Sequence, residues 1–425
     1  MTEQGTGQSG LISPRRSMGM LAANAWSALS LVVATAVAAH ALSEADYTQF
    51  LVYWSLLFGA LQVVTGLQNE STRAVSETMV MPDVSGATRG ARVMAMPLIL
   101  GGGLACVILV FGSFWASHVS IGMMVLVTSV LVLVNYGCVF TIGGVLAGRH
   151  QWGTLAFLNA LEPSVRLCVM VLVALLIPNL RAMQLAAALP ALAWLTTILP
   201  LRRVRGAASA RADVQLPKLL ANGLWALAAA AAGAVLLNAF PAIVRGAVGG
   251  DTPGLASLLL GIQLTRAPLM MPLSAFQGIA VAGFVAARHD RLRALVKPLG
   301  AVVGLGILSA GAAALLGPFL MRLVFGAKYA LPGLVLGGLT LAVTSVALLT
   351  LSGTAAIAVG AHRFFMAGWI TGALVTVMLL LAIPLSAEWR VILAVLFGPL
   401  FGVAIHVLAV QRRDRSPIRP EMTRR

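Results

Sequence analysis

Apolar residues run along this chain in long blocks divided by short polar turns. The blocks lie at about 18–42, 47–69, 93–116, 120–147, 151–177, 181–201, 217–245, 253–286, 294–324, 330–360, 364–385 and 390–411. A helix needs about 20 apolar residues to cross a bilayer, and most of the blocks reach that length. Their glycine and alanine content fits helices, and the alternating ten-residue segments of a membrane barrel are absent. Pro97, Pro163, Pro268, Pro272 and Pro298 fall in or at the start of these segments. Such prolines are tolerated in a span where neighbours satisfy the freed backbone groups. The pattern predicts an all-α polytopic membrane protein with about 12 transmembrane helices.

Composition agrees. Of 425 residues, 59% are hydrophobic and only 10% charged, and the mean hydropathy is +0.94. A soluble domain carries roughly 25% charged residues. The chain lacks the polar surface of a soluble enzyme, a nucleic-acid-binding domain or a disordered protein. The net charge of +16 therefore reads as the positive bias of cytoplasmic loops and not as a nucleic-acid footprint.

Placing the N-terminus in the cytoplasm and alternating the loops puts 22 of the 29 basic residues inside and five outside, with Arg166 and Arg266 within spans. This bias implies that both termini are cytoplasmic and that the span number is even. Arg15-Arg16 ahead of an apolar run ending in Ala39-His40-Ala41 superficially resembles a twin-arginine signal; its length favours an uncleaved first helix. The longest mid-chain break, Arg202 to Gln215, divides the chain into near-equal halves. Gly148-Arg149-His150-Gln151-Trp152 ends the fourth block and Gly360-Ala361-His362-Arg363-Phe364 the tenth, while Pro97 opens the third and Pro298 the ninth. The expected plan is a cytoplasmic tail over 1–17, a six-helix bundle over 18–201 and a basic linker over 202–216. A second six-helix bundle then covers 217–411 and a basic tail 412–425. The two bundles are expected to share a pseudo-two-fold axis along the membrane normal.

Sequence signals for catalysis are sparse. The chain has no Walker A loop, HExxH pair or GxSxG elbow, so no cofactor and no metal site are expected. Cys106, Cys138 and Cys168 lie inside apolar runs without a CxxC spacing and read as packing residues. The pair Glu44-x-Asp46 stands in the first external turn. It is either a solvated turn or the metal-holding pair of a polyprenyl-dependent membrane glycosyltransferase.

Leu42-Ser43-Glu44-Ala45-Asp46-Tyr47 resembles the "L-s-x-x-[ED]-[YF]-G" turn of the oligosaccharide flippases, with Thr48 at the usual glycine. Gly317-Pro318 followed by Leu323-Val324-Phe325-Gly326-Ala327-Lys328-Tyr329 is similar to the family's "G-P-x-[LI]…[LI]-x-[FL]-G-x-x-[YF]" segment. The turns at Gly148-Arg149 and Gly360-His362-Arg363 resemble those ending its fourth and tenth helices. These proteins form the polysaccharide and O-antigen branch of the multidrug/oligosaccharidyl-lipid/polysaccharide exporter superfamily. The resemblance implies two six-helix bundles around a central cavity. The implied substrate is a polyprenyl-diphosphate-linked oligosaccharide, a cell-envelope precursor moved from the inner to the outer leaflet of a bacterial plasma membrane. It also implies that Asn24, Asn222 and Gln263, on the first, seventh and eighth spans, line the cavity. Implied partners are the lipid-linked glycan, anionic membrane lipids along Arg288–Lys297 and Arg412–Arg425, and an envelope-glycan polymerase or glycosyltransferases.

Ionisable residues within spans are costly and tend to face a cavity or one another. Glu162 and Arg166 are four residues apart and share a helix face, as a neutralised pair or as a coupling site. Arg266 has no acidic neighbour on its own helix and falls near the bilayer midplane. It is expected either to face a cavity, where a guanidinium suits a diphosphate, or to pair with Glu162. A multidrug or metabolite antiporter of the same superfamily is the other transport reading. Reporter fusions after residues 46, 250 and 388 are expected outside, and fusions after 211 and 425 inside; an external C-terminus would overturn the even-span plan.

Overall fold

In the computed structural model the described residues are 14–80, 90–116, 123–198, 200–250, 252–266, 270, 273, 291–358 and 361–415. They form helices and turns with no named strand. Nine helices among them are long and apolar enough to cross a membrane, and Pro97–Phe111 and Leu255–Leu264 are shorter apolar helices. The chain is an all-α, multi-pass membrane protein, as its hydropathy predicts.

The chain divides into two compact units. The first comprises Met1–Ala41 with Val64–Ala228, and the second Leu42–Val63 with Ala229–Arg425. The long helices wholly within the first are α1 (Pro14–Ala41), α3 (Gly102–Ala116), α4 (Met123–Gly148) and α5 (Trp152–Leu176). Helix α2 (Glu44–Val80) has residues in both units. At 37 residues and 1.5 Å per residue it is about 55 Å long, well beyond the roughly 30 Å of a hydrocarbon core. The expected segment stopped at residue 69 because Glu70 and Arg73 lower the hydropathy, but the helix continues through them.

The sixth expected span is broken. It consists of α6 (Leu180–Ala188), a 3-10 stretch Leu189–Trp194 and α7 (Leu195–Ile198). Pro190 lacks an amide hydrogen and clashes with the preceding turn, which accounts for the break. Asn179 caps α6, its side chain accepting from the Ala182 amide at 2.9 Å.

The expected linker is ordered as part of the first unit. Arg202–Ala208 forms the short helix α8, with Val204 and Ala207 buried and the arginines outward. Ala210, Arg211 and Ala212 then alternate inward and outward, the extended period of two, with both alanines buried. They pair with residues 91–93 through Val93 N–Ala210 O at 3.0 Å and Ala212 N–Ala91 O at 2.8 Å. The next helix, α9 (Leu216–Ala234), leans on α2: a Cβ on Gly66 would lie 2.6 Å from the Ala226 carbonyl carbon.

In the second unit α9 gives way to a π turn, Val235–Ala239, before α10 (Phe240–Val248). Helix α11 (Leu255–Leu264) follows. The rest of the eighth expected segment, including Pro268, Pro272 and Gln277, lies outside the described residues. The last helices are α12 (Arg291–Phe325), α13 (Gly333–Ala358), α14 (His362–Ala382) and α15 (Ala387–Arg415). Pro298 does not open α12, as expected, but lies inside it. Arg288, Gly360 and residues 416–425 fall outside the described residues. Cys138 is buried as expected, whereas Cys106 and Cys168 are exposed on the protein surface.

Candidate substrate-handling sites

The two motifs that carry the family resemblance meet in the second unit. Ser43 caps α2, its Oγ accepting from the Asp46 amide at 3.2 Å and donating to Asp46 Oδ2 at 2.9 Å. Asp46 is thereby drawn into a helix cap, the solvated-turn arrangement of the Glu44-x-Asp46 pair. Among the described residues no group of three His, Cys, Asp or Glu is placed to hold a metal. One turn into α2, Tyr47 packs on Tyr329 with ring centroids 4.9 Å apart, and both are fully buried. The chain reaches Tyr329 through Gly326 at φ +93°, a left-handed conformation that favours glycine and explains the Phe-Gly of that motif. Burial, with the Glu44 carboxylate second, pushes the Tyr329 phenol up to about 12.

Within the first unit, Glu162 and Arg166 are paired on α5. Arg166 donates from Nη2 to Glu162 Oε1 and to the Tyr136 oxygen, the latter at 2.6 Å, and Tyr136 donates to Glu162 Oε1 at 2.6 Å. Its Nε donates to the Ala187 carbonyl at 3.1 Å. Ala187 is in the last turn of α6, where carbonyls lack intrahelical partners. Arg166 is 5% exposed, so the charge is buried and neutralised by a closed triangle of hydrogen bonds. Glu162 therefore has Arg166 as its partner within this unit.

A second ionic cluster in this unit was not anticipated. The Arg73 guanidinium sits between two carboxylates, reaching Glu70 at 2.7 and 2.9 Å and Asp213 at 3.0 and 3.1 Å. Asn222, an expected cavity residue, donates to Glu70 Oε1 at 3.1 Å. Glu70 is 6% exposed, making it a buried acid that segmentation at residue 69 had placed in a loop. The readable signal was the i, i+3 spacing of Glu70 and Arg73. Asn24 is exposed on α1, near Trp26, whose indole donates to Ser164 Oγ at 2.8 Å.

Arg266 lies in the second unit, two residues past the end of α11. Its Nη1 donates to the Leu237 carbonyl in the π turn. In a regular helix that carbonyl would accept from the amide four residues on, but residue 241 is proline and has none. Pro241 thus creates the orphan acceptor that Arg266 satisfies. The same guanidinium lines a narrow cleft of about 20 Å3, together with Leu237, Phe240, Thr265, Val343 and Val395. Among the described residues, none that lines the cleft is acidic and no salt bridge reaches Arg266. One bond to a carbonyl engages one of five guanidinium N–H donors. Gln263 is half-buried on α11, does not line the cleft, and its Nε2 is buried without a partner.

Comparison with solved structures defines the class. An inward-facing multidrug resistance MATE family transporter of the MOP superfamily matches with a TM-score of 0.74 at 13% identity, over 91% of this chain and 94% of that one. A MOP superfamily transporter from Pyrococcus furiosus Vc1 matches with a TM-score of 0.67 at 12% identity, over 95% and 96%. The fold is that of MATE-type transporters of the MOP superfamily, which carries twelve helices in two bundles. No family model matches the sequence. The chain belongs to the same family as the uncharacterized protein Rv1510 of Mycobacterium tuberculosis, being 35% identical to it over 386 residues, 89% of this chain and 87% of Rv1510.

The triangle on α5 yields a direct test. Breaking a buried pair from one side strands the other charge, at about 3–5 kcal/mol. Arg166→Ala is expected to lower membrane abundance and thermal stability sharply, and the double change with Glu162→Ala to recover much of both. Wild-type stability of Arg166→Ala would show that the pair bears no structural load.

Proposed function

We propose that this chain is a membrane exporter working by alternating access. Its substrate in this reading is a polyprenyl-diphosphate-linked oligosaccharide, moved from the inner to the outer leaflet. The observation that carries the reading is Arg266: a guanidinium in an acid-free apolar cleft, with most of its donors left for a ligand. Diphosphate oxygens match that fork in charge and in bidentate geometry. Apolar walls suit a ligand with a hydrocarbon tail. One structural neighbour, the Pyrococcus furiosus transporter, is described by the reverse polarity of its binding pocket, which suggested a different function for it. A cationic cleft here supports an anionic cargo in the same spirit. Asn24, Asn222, Gln263, Glu162 and Arg166 remain candidates for secondary contacts, and the motifs at Tyr47 and Tyr329 support the oligosaccharide branch.

The second reading, a multidrug or metabolite antiporter, draws on Glu70 and Asp213. Two carboxylates around one arginine leave a net negative cluster that suits a cation, and the first structural neighbour is a multidrug resistance transporter.

Arg266 both satisfies Leu237 and, in this reading, grips substrate, and the two roles separate by mutation. Arg266→Gln keeps a donor for the carbonyl but removes the charge; it is expected to accumulate in the membrane yet lose export. A lost hydrogen bond to a charged group is worth about 1.5–3 kcal/mol, roughly a 10- to 150-fold fall in substrate affinity. Arg266→Lys should restore part of the activity. Surface glycan and membrane abundance measured together decide the point, and full export by Arg266→Gln would remove Arg266 from substrate handling.

A further inference from the structure

His406 lies on α15, fully buried, in a slot kept open by glycines on its two neighbours. A Cβ on Gly353 of α13 would stand 3.2 Å from the imidazole Cε1, and one on Gly368 of α14 would overlap the ring outright. The ring's two nitrogens are held by those same two helices. Nε2 lies 3.1 Å from the Phe365 carbonyl on α14. A carbonyl only accepts, so Nε2 carries hydrogen. Nδ1 lies 3.0 Å from Ser352 Oγ on α13, and that hydroxyl is also 3.1 Å from the Leu349 carbonyl.

This arrangement satisfies both charge states of the ring. When His406 is neutral, Nδ1 is an acceptor and the Ser352 hydroxyl donates to it. When a proton arrives at Nδ1, the hydroxyl hydrogen turns to the Leu349 carbonyl, and Oγ accepts from the new N–H. No donor is stranded in either state, and the change is a hydroxyl rotation, with no repacking. The Phe365 ring stacks at 6.1 Å, 10° from parallel to the imidazole, presenting a π face that tolerates an imidazolium. A histidine kept only as a neutral strut needs no second acceptor behind Ser352.

We infer that His406 is a proton-binding site, with the Ser352 hydroxyl and the Leu349 carbonyl as its relay. The bonds that reorganise join α13 to α15, while the Phe365 carbonyl of α14 holds the ring through Nε2 in both states. The charged groups nearby are cations at the helix ends. Helix α13 has no titratable residue; α14 carries His362 and Arg363 in its first turn, Arg363 being exposed; α12 brings Arg291, Arg293 and the exposed Lys297. On α15 itself, Arg412, Arg413, Asp414 and Arg415 follow His406, with Arg412 stacked over Phe364. Asp414 is the one acid among them. The site therefore answers to proton concentration through its hydrogen bonds. The inference holds whichever substrate the chain moves.

The test is 15N-histidine solid-state NMR on the full chain in lipid bilayers, titrated from pH 8 to pH 5. The His406 signal is assigned by its disappearance in His406→Gln among the six histidines. The expected result is conversion from the Nε2–H tautomer to the imidazolium within that range. In Ser352→Ala, which leaves the Phe365 bond intact, the conversion should move to lower pH by a unit or more. A ring that stays neutral to pH 5, or an unshifted conversion in Ser352→Ala, overturns the inference. If His406→Gln fails to accumulate, His406→Asn supplies the assignment.

Discussion

A carbonyl robbed of its amide partner and a guanidinium stripped of water are each costly in a hydrocarbon setting, and here they answer one another. Pro241 orphans the Leu237 carbonyl, and Arg266 comes to it. The same solution recurs in the second unit, where Pro384 removes the donor for Leu380 and Arg390 supplies bonds of 2.8 and 3.1 Å. In the first unit Arg166 caps the end of α6 through Ala187 while neutralising Glu162. The requirement that every polar group inside the bilayer find a partner thus determines where the arginines stand. Arg266 differs from Arg166 in one respect that matters: among the described residues it meets the requirement without a carboxylate.

That difference separates the sites into roles. The α5 triangle is closed, short-ranged and buried, properties of a structural element. The Arg73 cluster ties α2 to the ordered segment 209–215 and to Asn222, anchoring the start of α9 within the first unit. The Arg266 cleft is apolar, cationic and partly open. His406 is a buried titratable group with a hydrogen-bond partner at each ring nitrogen.

Much of the plan was legible in hydropathy. Each expected block has a helical counterpart among the described residues, and the i, i+4 relation of Glu162 and Arg166 was readable from spacing alone. What was missed has specific causes. Charged residues ended α2 on paper because hydropathy does not register that Glu70 and Arg73 cancel. Tyr136 could not be joined to Glu162 because the contact crosses between helices. The partner of Arg266 was hidden because the orphan carbonyl arises from Pro241, on another helix, and proline positions were read as kinks and not as sources of acceptors. The segment taken for a linker alternates small and basic residues at 210–212, a pattern overshadowed by its four arginines. The resemblance motifs, by contrast, located a real contact: 282 positions apart in the chain, the Tyr47 and Tyr329 rings pack together, tilted by 54°.

The central claim is that the cleft at Arg266 accepts an anionic, lipid-tailed ligand. Native mass spectrometry of the purified chain, offered a polyprenyl diphosphate, the corresponding polyprenol and a lipophilic cation, measures this directly. The account predicts retention of the diphosphate over the other two, weakened as ionic strength rises. Retention of the cation with indifference to the diphosphate would contradict it and favour the acidic cluster at Glu70 and Asp213 as the place where cargo is read.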